Sequence, residues 1–215
     1  MRISWNWLKT LADLDGITPQ EAADVLTSTG LEVEHVDMVE PVKGMLAGVV
    51  VGQVLECAKH PDADRLSVCR VDLGTGEPAQ IICGAPNVAA GQKVLVATVG
   101  STLHMADGSE LTIKKAKIRG VESHGMICAE DELGLGTSHE GILVLDPGSK
   151  VGMPAAEHLG LRTDHAFEIG LTPNRADAMG HLGVARDLVA ALNFRHGTDR
   201  RVHMPDVSAF ATDGP

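Results

Sequence analysis

The spacing of apolar residues in this chain changes twice along its length. In the first 39 residues, and again after Pro147, apolar residues recur at steps of three and four, as on one face of an α-helix. Between Ala47 and Leu145 they instead form short β-branched runs separated by Gly, Pro, Asp and Asn. The two ends are therefore predicted to be helical and the middle to be all-β.

Helix-capping signals place the end helices. Ser4 can cap a first helical turn, and the sequence Thr18-Pro19-Gln20-Glu21 is a capping box with proline at its first helical position. Gly30 ends that second helix. Further helices are predicted at residues 153–159 and 181–192, and the apolar stripe of the last one is expected to pack on the N-terminal pair.

The middle of the chain is expected to form a small sandwich or barrel, because its strands are short and closely punctuated by turn residues. The predicted strands are residues 49–57, 66–72, 79–83, 93–97, 111–118, 125–129 and 142–145.

The charge distribution limits where nucleic acid could bind. The formal net charge is −11, which argues against a generally adhesive phosphate-binding surface. One basic run stands out within the β region, formed by Lys114, Lys115, Lys117 and Arg119. These four are the candidate tRNA-binding residues. A solvated strand face and a phosphate-tracking stripe explain the run equally well.

Aromatic side chains are missing from the β region. Residues 40–150 contain no Phe, Trp or Tyr, the side chains on which single-stranded bases usually stack. Any RNA contact there is therefore expected to depend on backbone charge and shape, and not on base-specific recognition.

No pattern of catalytic or metal-binding residues is found. The four cysteines form no C-x-x-C pair and the ten histidines no H-x-x-x-H pair, so buried reduced thiols are expected and no metal site or catalytic residue is assigned. In His60-Pro61-Asp62-Ala63-Asp64 a cation site is conceivable, but a proline-fixed turn is favoured.

No apolar run reaches about 18 residues and no signal core follows Met1, so a cytoplasmic location without membrane contact is expected.

Three strings in the β region resemble a known module. They are His60-Pro61-Asp62-Ala63-Asp64-Arg65-Leu66-Ser67-Val68-Cys69-Arg70-Val71-Asp72, Ile82-Cys83-Gly84-Ala85-Pro86-Asn87 and Ile118-Arg119-Gly120-Val121-Glu122-Ser123-His124-Gly125-Met126-Ile127-Cys128-Ala129. Together they are similar to the tRNA-binding oligonucleotide-binding-fold module that several tRNA synthetases share with stand-alone tRNA-binding proteins.

The flanking strings resemble the N-terminal region of bacterial phenylalanine–tRNA ligase β chains. They are Ile3-Ser4-Trp5-Asn6-Trp7-Leu8, Leu26-Thr27-Ser28-Thr29-Gly30-Leu31-Glu32-Val33-Glu34, Glu132-Leu133-Gly134-Leu135-Gly136, His139-Glu140-Gly141-Ile142 and Leu171-Thr172-Pro173-Asn174-Arg175-Ala176-Asp177. This resemblance extends to about residue 195, and the sequence is expected to be the N-terminal portion of a longer chain.

The resemblance implies an α+β fold in which a five-stranded oligonucleotide-binding β-barrel is inserted into a small, mainly helical domain. Its expected parts are residues 1–39 with 151–195 for the helical domain, 40–150 for the barrel, and 196–215 for the start of a linker to downstream domains.

For function, the resemblance implies an (αβ)₂ enzyme that uses ATP and Mg²⁺ to charge tRNA with phenylalanine on the α subunit. The present chain would be a non-catalytic part with an auxiliary tRNA surface, binding neither ATP nor phenylalanine. Editing would belong to later domains. Two alternatives stay open: a tRNA-binding module that acts alone, which the flanking strings disfavour, and a barrel that mainly contacts protein.

Overall fold

The computed structural model describes residues 1–105 and 108–211. It contains two compact units, Met1–Val39 with Thr163–Pro215, and Glu40–Arg162. The α-helices of the described residues are α1 Trp5–Leu11, α2 Pro19–Ser28, α3 Ala155–His158 and α4 His181–His196. The strands are β1 Arg2–Ser4, β2 Glu32–Val39, β3 Val49–His60, β4 Ala63–Asp72, β5 Ala79–Cys83, β6 Lys93–Ala97, β7 Thr102–His104, β8 Glu110–Thr112, β9 Ala116–Ile118, β10 Val121–Ser123, β11 Met126–Ile127, β12 Val144–Leu145 and β13 Asp164–Gly170.

Helices α1 and α2 of the first unit begin at the caps that the sequence predicts. The Ser4 hydroxyl accepts a hydrogen bond from the Trp7 amide at 3.0 Å, and the Thr18 hydroxyl accepts one from the Glu21 amide at 3.2 Å. Each bond satisfies an amide that has no partner inside its helix. Helix α4 ends at Gly197, whose φ of 62° suits the left-handed position after a helix.

A three-stranded antiparallel sheet completes the first unit. Its strand order is β1-β13-β2, with β13 in the centre, and Phe167 and Ile169 of β13 are buried in the core with α1, α2 and α4 side chains. The prediction of a mainly helical unit missed this sheet. The pairing joins strands more than 120 residues apart, such as Ile3 to Phe167. Periodicity within a short window does not report a partner strand at such a separation.

The segment after α4 packs against the first unit. Val202 forms an isolated β-bridge with Ala12, and the Asn193 side chain accepts a hydrogen bond from the Arg200 amide at 2.8 Å. Residues 196–215 are predicted from sequence to begin a linker. Their first part instead belongs to this unit, and the last four lie outside the described residues.

The second unit is a nearly closed five-strand antiparallel barrel. Its strand order is β11-β6-β3-β4-β5, with β12 also paired to β6. Strand β10 approaches the free edge of β5, where the Ile82 amide donates to the Ser123 hydroxyl at 3.0 Å and the His124 amide to the Gln80 carbonyl at 2.8 Å. These bonds narrow the gap between the two ends of the sheet.

Strand β3 runs through the centre of the barrel sheet and pairs with both β6 and β4. At Gly52 a Cβ would lie 2.9 Å from methyl groups of Val71 and Val96. Glycine therefore allows the backbone to approach the core closely at this point.

Two features of the second unit differ from the prediction. The expected strand at residues 111–118 is divided into β8 and β9, and β9 instead pairs with β10 through a two-residue turn at Arg119-Gly120. Both turn residues have positive φ, 45° and 87°, as the favoured hairpin turns require. The unit also continues past residue 150 to Arg162, because Ala155 of α3 is buried in a barrel core.

No helix of residues 1–105 or 108–211 is long and apolar enough to cross a bilayer.

Candidate nucleic-acid interface

All four predicted basic residues lie on one exposed segment that runs from β8 through the β9–β10 turn. Buried Ile113 anchors its start, donating from its amide to the Ser101 carbonyl and accepting from the Gly100 amide, both at 2.8 Å. Lys114 and Lys115 follow directly and are exposed. The anchor fixes where the segment leaves the core.

Lys115 already forms an ion pair within the barrel unit. Its ammonium lies 2.9 Å from the Glu122 carboxylate, which also contacts the His124 ring at 3.3 Å. The hydrogen bond from Lys115 lowers the pKa of Glu122 below its usual value. A phosphate that approached Lys115 would therefore compete with a carboxylate.

Lys114 and Lys117 are different, because neither has an ion-pair partner within the described part of the chain. Arg119, in the hairpin turn, donates from Nη1 to the Asp62 carbonyl at 3.3 Å and stays exposed. Among the described residues, the segment thus offers two ammonium groups without an ion-pair partner and one guanidinium with a single hydrogen bond.

An apolar cleft of about 670 Å³ lies beside this segment. Ala116 and Ile118 line it, whereas Lys117, between them on β9, does not, as expected for alternating side chains of a strand. Lys114 also lines the cleft. Its other aliphatic lining includes Ile82, Ile113, Met126, Ile127 and Ile142, and its polar lining includes Ser123, Glu132 and His139.

A second cleft of about 550 Å³ shares the loop Gly84, Ala85 and Pro86 with the apolar cleft. Lys59 and Arg65 line this second cleft, together with Asp64. Neither cation belongs to the basic run predicted from the sequence as the RNA-binding segment. The signal that could have identified them is the short turn between them, which folds residues 59 and 65 back toward each other.

The predicted turn at His60-Pro61-Asp62 is confirmed, since His60 pairs with Ala63 across it. His60 itself is buried, and its Nδ1 accepts from the Asp62 amide at 3.1 Å. That bond leaves Nε2 to carry the hydrogen and donate to the Ile118 carbonyl, 3.2 Å away. His60 therefore ties this turn to β9.

Groups of three or more potential metal ligands are not found within the described ranges. The cysteines are free, and burial raises the pKa of the Cys69 and Cys128 thiols to about 12. Burial also raises the pKa of Cys83. Such thiols are protonated at neutral pH and are poor nucleophiles.

Comparison with protein families assigns the barrel to a domain type. The family described as "Putative tRNA binding domain" matches residues 49–154, a range that includes the basic segment and the residues lining both clefts.

Comparison with curated proteins covers both units. The β subunit of phenylalanine–tRNA ligase from Bacteroides fragilis is 54% identical over 214 residues, 99% of this chain. The corresponding subunits of Salinibacter ruber and Halalkalibacterium halodurans are 51% and 44% identical, and both alignments cover 100% of this chain. The chain belongs to the phenylalanine–tRNA ligase β-subunit family. It spans about a quarter of the length of these relatives, 26% in each case.

Similarity to the phenylalanine–tRNA ligase β subunits extends to the helices and sheet of the first unit, which the domain match does not reach. Among solved structures, the C-terminal domain of Plasmodium vivax p43 is 27% identical and aligns with 48% of this chain and 56% of its own, with a TM-score of 0.35.

Proposed function

We propose that this chain is a non-catalytic part of a phenylalanine–tRNA ligase β subunit and contributes an auxiliary tRNA-binding surface to the enzyme. The observation that supports this most directly is the position of Lys114 and Lys117. Both are exposed and unpaired among the described residues, and both lie within the range that matches a tRNA-binding domain. In this proposal the barrel is an oligonucleotide-binding fold inserted into the first unit.

The proposed contact is with the phosphate backbone of tRNA. Lysine ammonium groups bind phosphate as point charges and release counterions from the RNA, so binding would weaken as salt rises. Because residues 40–150 contain no aromatic side chain, base stacking would add little. Lys59 and Arg65 of the second cleft would extend the same surface.

The remaining properties of the enzyme are part of the proposal. The whole protein would attach phenylalanine to its tRNA in the cytoplasm with ATP and Mg²⁺, as an (αβ)₂ tetramer with the α subunit. ATP, Mg²⁺ and phenylalanine would bind elsewhere in that assembly. Catalysis is assigned to none of the residues of this chain.

The test is binding of labelled tRNA to this chain across a range of salt concentrations. The variant Lys114→Ala with Lys117→Ala should bind more weakly, and the slope of log affinity against log salt should fall by about 1.5, given roughly 0.7–0.9 per phosphate contact. Lys9→Ala with Lys150→Ala removes the same charge from exposed positions elsewhere and should change binding little. An equal loss of tRNA affinity in both double variants, or an affinity that does not depend on salt concentration, would contradict the proposed surface.

The apolar cleft favours a second candidate function, a barrel that mainly binds protein. Its aliphatic lining and the acidic net charge of the chain suit a polypeptide partner better than a polyanion. Mixing the chain with the α subunit and measuring mass would test this directly. The second candidate would be supported over the first by two results together. The chain would form a complex that Met126→Asp abolishes, and the unsubstituted chain would not bind tRNA at low salt.

A further inference from the structure

Two cysteines face each other across the β3–β4 pair. Cys57 and Cys69 are direct partners in the antiparallel register, and their sulfur atoms are 3.8 Å apart. Directly opposite residues of an antiparallel pair have side chains on the same face of the sheet. The two thiols are therefore held together by strand pairing and not by chance proximity.

The backbone at this position is compatible with a disulfide. Opposed residues in antiparallel strands have Cα atoms about 4.5 or 5.5 Å apart. Disulfides span Cα separations of about 4.4–6.8 Å. Covalent bond formation would need only a small approach of the two sulfur atoms, with the strand pairing kept.

The two thiols differ in access to solvent. Cys57 is only partly buried and lines the second cleft, whereas Cys69 is fully buried in a barrel core. Cys57 is therefore the more accessible of the two to an oxidant dissolved in water. The pair thus has one accessible thiol and one resolving thiol behind it.

We propose that Cys57 and Cys69 form an oxidant-sensitive dithiol that a peroxide converts to a cross-strand disulfide. In the first step the Cys57 sulfur attacks a peroxide oxygen, the O–O bond breaks, and hydrogen peroxide yields a sulfenic acid and water. In the second step the Cys69 sulfur attacks the Cys57 sulfur, and the sulfenic oxygen leaves as water with the Cys69 proton. Each peroxide accepts two electrons, and the two thiols are oxidised to one disulfide.

The order of the steps agrees with the environment of Cys69. Burial first, and then the adjacent Cys57 sulfur, raise the pKa of Cys69 to about 12, so Cys69 is a poor first nucleophile. Contact between the sulfur atoms then favours the resolving step through proximity.

A disulfide here would alter one wall of the second cleft. Cys57 lines that cleft with Lys59 and Arg65, and the bond would draw its sulfur toward the core and fix the β3–β4 pair. This modification does not depend on tRNA binding and can be tested separately from it.

The test exposes the folded 215-residue chain to hydrogen peroxide, blocks remaining thiols with an alkylating reagent, and maps the peptides by mass. We expect two of the four free thiols to be lost, one peptide pair that joins Cys57 to Cys69 with two hydrogen atoms fewer, and full reversal by dithiothreitol. Circular dichroism before and after treatment checks that the chain stays folded.

The matched control is Cys57→Ser, which keeps a small polar side chain at the accessible position. It should form no intramolecular disulfide and leave Cys69 reduced. Because Cys57 is also close enough to Cys83 to raise the pKa of that thiol, a bridge from Cys57 to Cys83 is the main competing product. The proposal would be overturned by that product, by disulfides that form only between molecules, or by four thiols that stay intact. Peptide mapping of the unsubstituted chain distinguishes these outcomes even if the variant fails to fold.

Discussion

Asn87 uses both ends of its side-chain amide to bind the backbone of Ile142. Its Nδ2 donates to the Ile142 carbonyl at 3.0 Å, and its Oδ1 accepts from the Ile142 amide at 2.9 Å. The bonds join the loop after β5 to the segment before β12, two stretches that the sequence analysis singled out separately. Gly141 precedes this contact, and a Cβ there would overlap the Asn87 amide.

Asn87→Ala should therefore destabilise the barrel by about 1–3 kcal/mol, since two hydrogen bonds of roughly 0.5–1.5 kcal/mol each are lost. Urea unfolding followed by far-ultraviolet circular dichroism is the suitable measurement, because residues 40–162 contain no tryptophan or tyrosine. Asn174→Ala, an exposed asparagine without a hydrogen bond in the described structure, is the control and should change stability by less than about 0.5 kcal/mol.

Glu122→Gln should strengthen tRNA binding, if tRNA contacts the basic segment. The substitution removes the carboxylate that holds Lys115 at 2.9 Å and so releases a third ammonium group. The salt slope should steepen by about 0.7–0.9, one further phosphate contact. Glu77→Gln makes the same change in net charge at another exposed position of the barrel unit. An equal gain in Glu77→Gln would show a general charge effect and not release of Lys115.

The pair of His139 and Asp131 should make stability weakly dependent on pH. A hydrogen bond to the Asp131 carboxylate, at 2.9 Å, raises the pKa of His139 above its ordinary value of 6.5. Because the folded pKa is raised, the stabilisation is complete below pH 6.5 and disappears as pH rises through the folded pKa. Titration of the His139 ring by nuclear magnetic resonance should show this pKa, and Asp131→Asn should lower it. An unchanged midpoint in that variant would assign the shift to another group.

Gly183→Ala should destabilise the first unit, although alanine is normally the better helix former by about 1 kcal/mol. A Cβ at Gly183 would overlap the Asp177 carbonyl oxygen and lie 2.7 Å from the Ala178 Cα, where backbone cannot yield. We expect a net loss of about 1–3 kcal/mol. Both tryptophans lie in this unit, so their fluorescence in urea measures it.

The control for that prediction is Ala190→Gly, at an exposed position of the same helix. It should cost about 1 kcal/mol through helix propensity alone. A stabilised Gly183→Ala variant would show that the segment before α4 can move away from the helix.

Local chemistry made much of the fold predictable. Ser4 and Thr18 cap helices because their hydroxyls reach amides three residues along the chain, and the turn at Pro61 follows from a fixed proline φ. The barrel strands are rich in β-branched residues and are separated by turn residues such as Gly, Pro, Asp and Asn. In each case the signal and the structure it specifies lie within a few residues of each other.

Long-range pairing explains what the sequence did not reveal. Ile3 pairs with Phe167, and no local pattern reports a partner at that distance. The basic run was predicted to belong to one strand over residues 111–118, but residues 113–115 lie outside both β8 and β9 and divide it. The ion pair that distinguishes Lys115 from its neighbours likewise depends on Glu122 of the adjacent strand, which only the fold brings close.

The central position of β13 has a consequence for synthesis on the ribosome. Strands β1 and β2 are translated before the barrel, but within the described residues they pair with β13 alone, which ends at Gly170. Every strand of the barrel, in contrast, is complete by Leu145. Domains usually fold in the order of translation. Here β1 and β2 must wait for β13, so all strands of the barrel are synthesised before the sheet that contains β1 and β2 can form.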